Sequence, residues 1–112
     1  MARIARSQLP LHQTRGRPVF WRIRMTRPDG DPLDLTGAVA VAVLRSEAPG
    51  PDAIDRLLTV GTLGPDGVIE VTGSADLTPD LPIGRTSQLQ VSLTDSQNAV
   101  KDYVWPVVVE SL

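Results

Sequence analysis

Val19-Phe20-Trp21-Arg22-Ile23-Arg24-Met25-Thr26 decides the fold class. Val19, Trp21, Ile23 and Met25 fall on one face of an extended chain, and Phe20, Arg22, Arg24 and Thr26 on the other. Such period-2 alternation predicts a half-buried strand. Downstream, Arg27-Pro28-Asp29-Gly30-Asp31-Pro32 is a dense turn cluster with Pro and Asp-Gly in turn-favouring order. Leu33 to Gly37 then leads into Ala38 to Arg45, where Val39, Val41 and Val43 alternate with Ala40 and Ala42. The small alanines on one face would let another layer or backbone approach closely.

The same grammar continues to the end of the chain. Ser46 to Ala53 contains Pro49-Gly50-Pro51 and reads as an exposed loop. Ile54 to Val60 matches a helical period in part, but its β-branched end and the following Gly61 favour a strand. Gly64-Pro65-Asp66-Gly67 is a hairpin-type turn, and Val68 to Thr72 completes the hairpin. Between Gly73 and Gly84, Pro79 and Pro82 leave room for one helical turn at Ser74 to Leu77. Arg85 to Thr94 points Leu89, Val91 and Leu93 inward and Gln88, Gln90 and Ser92 outward. After the turn at Asp95 to Ala99, Lys101 to Glu110 places Tyr103, Trp105, Val107 and Val109 on one face. Its Pro106 cannot donate to a ladder, so an edge position or a bulge is expected there.

Ten prolines and nine glycines among 112 residues fit this succession of short elements and turns. About six to eight short strands without a convincing helix predict an all-β fold, an antiparallel immunoglobulin-like β-sandwich, with a small barrel as the alternative. The predicted organisation is an extended basic arm over residues 1–17 and a β-sandwich domain over residues 18–112.

Charge is divided unevenly. The net charge is −2, but residues 1–27 hold Arg3, Arg6, Arg15, Arg17, Arg22, Arg24 and Arg27 with no acid. The other 85 residues carry all 13 acids against four bases, a balance of −9. An Arg-rich arm joined to an acidic body suits docking onto a neighbouring protein, since arginine pairs bidentately with carboxylates. Arg3, Arg6, Arg15 and Arg17 would make those pairs. Leu9 and Leu11 would seat in apolar notches between them, with Pro10 keeping the chain extended. With no acid, no periodicity and no strand partner of its own, the arm is expected to order only against such a neighbour. Sparse arginines without lysines or interleaved aromatics make nucleic-acid binding the weaker reading.

The residue inventory limits the chemistry. Without cysteine there is no disulfide, zinc knuckle, iron–sulfur cluster or thiol nucleophile, and a single histidine cannot supply a two-histidine site. His12 lies in the arm, where holding a base near a nucleophile is difficult. Asp29, Asp31 and Asp34 share a turn, but Pro32 interrupts them and no Glu closes a calcium loop, so a solvated Asx turn is the stronger reading. The glycine clusters lack the Lys-Ser/Thr ending of a phosphate loop. With no apolar run near the ~18 residues of a membrane span and no apolar core to its start, the chain reads as neither membrane-spanning nor secreted. No catalytic residue, cofactor or metal site is predicted.

Three stretches together carry a family resemblance. Phe20-Trp21-Arg22-Ile23-Arg24-Met25 runs through Pro28-Asp29-Gly30-Asp31-Pro32-Leu33-Asp34-Leu35-Thr36-Gly37-Ala38 into an alternating strand. Leu77-Thr78-Pro79-Asp80-Leu81-Pro82-Ile83-Gly84-Arg85 follows, then Leu89-Gln90-Val91-Ser92-Leu93-Thr94-Asp95 before a valine-rich closing strand. This order resembles small immunoglobulin-like structural proteins of tailed bacteriophages, and is similar to the N-terminal domain of phage baseplate upper proteins. Where that pattern often has an aromatic after Gly84-Arg85, this chain has Thr86. The resemblance covers about residues 18–110. It implies a non-enzymatic virion protein at the tail tip, baseplate or fibre attachment, assembled in the host cytoplasm and present in symmetric multiple copies or a ring among other tail proteins. A head–tail connector and a stand-alone carbohydrate-binding module are the competing readings.

Overall fold

The computed structural model describes residues 4–6, 10–46, 54–61, 63–95 and 97–111, with 4–6 and 54 as backbone. Eight strands follow in chain order. They are β1 (Ile4–Arg6), β2 (Leu11–Thr14), β3 (Val19–Arg24), β4 (Val39–Ser46), β5 (Ile54–Val60), β6 (Val68–Gly73), β7 (Gly84–Thr94) and β8 (Val100–Glu110). A single 3-10 turn at Ala75–Leu77 fills the span where one helical turn was expected. The fold is therefore all-β among the described residues.

The strands are ordered β1-β8-β7-β4-β5-β6-β3, with β2 continuing along β8 beyond β1. The sheet is mixed, which corrects the purely antiparallel expectation. β1 and β2 both run parallel to β8, Ile4–Arg6 beside Asp102–Val104 and Leu11–Thr14 beside Val107–Glu110. A parallel pair needs a long crossover, and here nearly the whole chain lies between its members. Leu11–Thr14 of the arm is thus a strand of the sheet, with β8 as its partner.

β5 turns the sheet. Its first half, Ile54–Leu58, pairs with β4, while Thr59 and Val60 pair with β6. The sheet curls into a nearly closed, barrel-like shape whose seam lies between β2 and β3. The Trp21 indole N–H reaches across that seam to the His12 carbonyl at 3.1 Å.

Inside, the alternation read from the sequence holds on three strands. Val19, Trp21 and Ile23 of β3, Leu89, Val91 and Leu93 of β7, and Trp105, Val107 and Val109 of β8 are all buried. Each such aliphatic contributes about 1.5–3 kcal/mol by leaving water. On β4 the valines are outside: Ala42 and Leu44 are fully buried, while Val39 and Val41 are exposed. Register decides this, because Ala42 faces Val91 and Leu44 faces Leu89 across the ladder.

β8 is not an edge strand, which corrects the expectation drawn from Pro106. It lies between β7 and the β1/β2 run. The Glu110 carbonyl accepts the Arg15 N–H at 2.9 Å, so by strand alternation Val108, Pro106 and Val104 also aim their backbone at that run. Pairing with β1 ends at Val104 and pairing with β2 resumes at Val107. The proline's missing donor falls in the gap. The irregularity in this region is in β7, between Gly84 and Ser87.

Gly67 shows how closely the turns are packed. Its φ is +74°, and a Cβ there would lie 2.3 Å from the Met25 carbonyl oxygen and 3.0 Å from the Leu33 nitrogen. Gly30 has a similar φ of +91° with open space around it. Gly67→Ala should cost about 2–3 kcal/mol, combining left-handed strain with a backbone clash, whereas Gly30→Ala should cost about 1 from strain alone. Equal losses in urea denaturation would refute the clash.

Candidate docking surfaces

Of the six residues expected to dock a neighbour, the structure describes the side chains of Leu11, Arg15 and Arg17. Arg3 and Leu9 lie outside the described residues, and Arg6 is described only as the β1 backbone opposite Val104. Leu11 sits beside Val107 and packs against this chain's own core. Arg15 gives its backbone N–H to Glu110 and its Nε–H to the Leu81 carbonyl, so it ties the arm to the body. Arg17 is exposed, and its carbonyl accepts Gln13 Nε2 at 2.9 Å and faces the Thr78 hydroxyl at 3.0 Å.

Gln13 and Thr78 are the anchors that sequence reading missed. Gln13 is 5% exposed and its amide is within reach of the Thr14, Arg17 and Pro18 carbonyls. Thr78 is fully buried, and its Oγ1 accepts the Gly16 N–H at 2.9 Å. Buried polar groups cost free energy unless bonded, and bonded in this way they fix one arrangement. The turn from Gly16 to Pro18 is therefore locked against the 3-10 turn.

What remains outward from the basic segment lies on β3. Phe20, Arg22 and Arg24 alternate outward, with Phe20 61% exposed. Across the ladder this row faces Thr72, Glu70 and Val68, and Arg22 Nε lies 3.8 Å from the Glu70 carboxylate. Met25 donates its N–H to Gly67 on the β6 side. By alternation, the Phe20, Arg22 and Arg24 backbones then point away from β6, to the seam. Among the described residues no strand pairs with that margin of β3. Both sides of the seam thus come from the first 27 residues, which contain no acid.

A small cleft lies elsewhere, walled by Leu33, Leu35, Leu93 and Tyr103 with Asp34 and Lys101 on its lining. It offers about 140 Å³, against roughly 300–1,000 Å³ for a typical small-molecule site. Burial pushes the Tyr103 hydroxyl above its ordinary value. The hydrogen bonds from Thr36 hold the exposed Asp34 carboxyl below its ordinary value, with Arg27 adding a smaller charge effect. Asp34 Oδ1 accepts the Thr36 N–H at 3.0 Å and Asp29 Oδ1 accepts the Asp31 N–H at 3.0 Å. The aspartates therefore act as Asx-turn acceptors. Among the described residues no three His, Cys, Asp or Glu side chains converge as a metal site.

No family model matches the sequence, and no curated protein matches it.

Proposed function

We propose that this chain is a non-enzymatic structural protein of a tailed-phage particle, an adaptor at the tail tip, baseplate or fibre attachment that docks an acidic face of a neighbouring subunit. The observation that carries the docking reading is the basic seam. Arg17, Arg22 and Arg24 are exposed beside it, on a body whose remaining 85 residues balance at −9. Opposite potentials of this kind orient a partner and speed encounter more than they add raw affinity. The phage assignment itself rests on the sequence resemblance. The immunoglobulin-like reading of the fold belongs to the same proposal, and it is supported by β5, which passes from β4 to β6 midway along its length.

The test uses phage particles banded from the producing strain. The wild-type chain should travel with the particle, and the double variant Arg22→Glu/Arg24→Glu should remain folded but stay behind in the soluble fraction. Normal incorporation of that variant would remove the seam from the docking role. Absence of the wild type from particles would end the virion reading.

A further inference from the structure

We propose that the free margin of β3 takes an extended acidic segment of the neighbouring subunit as an added strand, an inference that rests on the docking reading above and supplies its mode. β3 pairs with β6 on one side, Val19 to Arg24 opposite Gly73 to Val68. The Met25 N–H bonds to the Gly67 carbonyl, so Ile23, Trp21 and Val19 also turn their backbone towards β6. The N–H and C=O groups of Phe20, Arg22 and Arg24 turn the other way, and among the described residues nothing bonds to them. A row of such groups along one margin is a template for another strand. β2 does not fill it. The Thr14 carbonyl is taken by the Arg17 N–H of the connecting turn, and the His12 carbonyl by the Trp21 indole.

Charge selects the occupant. Phe20, Arg22 and Arg24 carry their side chains on the outer face. An added strand sets its own outward residues directly opposite them, where unlike charges attract and like charges repel. Arg22 has the Glu70 carboxylate 3.8 Å away on its β6 side, whereas Arg24 faces Val68 there and has no ion pair among the described residues. Acids opposite Arg22 and Arg24 would therefore pair across the new ladder. A two-fold pairing of two β3 margins that used all three residues would set Arg22 against Arg22, which disfavours a second copy. A phosphate backbone would also be drawn to these arginines. It offers only acceptors, however, and the three outward carbonyls need donors, which a peptide main chain has.

Alternation also sets the residues between the acids. They lie beside Trp21 and Ile23, which are apolar and each only 8% exposed. Short apolar side chains suit those positions. The segment recognised thus has an acid at every second position with small apolar residues between. Its main chain supplies the hydrogen bonds, and its side chains supply the selectivity.

Nuclear magnetic resonance on the full chain tests this, with the capped peptide Thr-Glu-Val-Glu-Val-Glu-Thr added to millimolar concentration. In the free chain the Phe20, Arg22 and Arg24 amides should exchange with solvent faster than those of Trp21 and Ile23. With peptide, the same three should shift and their exchange should slow. N-methyl groups on the three central peptide residues should weaken binding about tenfold, the loss expected for one or two net hydrogen bonds. Lysine in place of each glutamate should weaken it as much, and so should Arg22→Glu/Arg24→Glu in the chain. Three amides already protected in the free chain overturn the proposal, because the margin is then covered. Binding that depends on charge but spares these amides and ignores N-methylation also overturns it, while leaving the docking reading standing. No binding at millimolar peptide overturns strand addition, and particle incorporation of the double variant judges the docking reading separately. A single-stranded oligonucleotide that moves the same amides at lower concentration than the peptide overturns it in favour of nucleic acid.

Discussion

Trp105→Ala should lose about 3–5 kcal/mol of folding stability, the usual cost of removing a large aromatic from a core. Trp105 is 7% exposed, lies opposite Leu89, and stacks on Tyr103 with ring centroids 6.2 Å apart at 24°. A domain of this size has only about 5–15 kcal/mol in total. The variant should therefore melt roughly 12–40 °C lower, taking about 4–8 °C per kcal/mol. A second readout separates ring packing from general loosening. Tyr103 owes its raised hydroxyl pKa to burial, so losing the stacked indole should return it towards 10.0 in an alkaline absorbance titration. A stability loss below about 1 kcal/mol would place the indole outside the core.

Sequence reading found what depends on local alternation. β3, β7 and β8 each have large apolar residues at every second position, with polar ones between throughout the inward run of β7 and for the most part on β3, so their inward faces could be named. β4 shows the limit of that signal. Alternation of Val and Ala defines two faces without saying which is inside. The answer lies in Leu44 and in the ladder with Leu89 and Val91, which is tertiary information. The arm was harder still. Leu11-His12-Gln13-Thr14 is four residues long, has a glutamine at its most buried position, and pairs with a strand nearly a hundred residues away. Nothing local announces such a strand.

The candidate site was legible to the same extent. The charge split between residues 1–27 and the rest was plain, and so was the outward placement of Arg22 and Arg24 on β3. The hydrogen bond from Arg15 to Leu81 joins residues 66 apart, and no spacing rule could reveal it. The inward seating of Leu11 follows from its place beside Val107, which the sequence alone does not supply. The docking surface proposed above is accordingly the seam that the arm borders.

Deleting residues 1–17 should be more damaging than any single substitution, and deleting residues 1–9 much less so. The longer deletion removes Leu11 from the core. It takes away the His12 carbonyl that accepts the Trp21 indole, the buried Gln13 amide, and the Gly16 N–H and Arg17 carbonyl that face Thr78. The Trp21 indole N–H is then left without its partner, at a cost of about 1–3 kcal/mol, and the Thr78 hydroxyl keeps the Ala75 carbonyl alone. It also uncovers the Val107–Glu110 edge of β8, an unpaired edge of the kind that invites aggregation. The shorter deletion keeps β2 and all of these contacts and, among the described residues, gives up the β1 pairing with Asp102–Val104. Urea denaturation followed by tryptophan fluorescence, with gel filtration for the native state, distinguishes the two. The 1–9 deletion should unfold cooperatively within about 2 kcal/mol of the full chain, and the 1–17 deletion should be unfolded or aggregated at 25 °C. If the 1–17 deletion instead unfolds cooperatively within about 1 kcal/mol of the full chain, then β2 is an appended tail, and the seam between β2 and β3 is not a built feature of the domain.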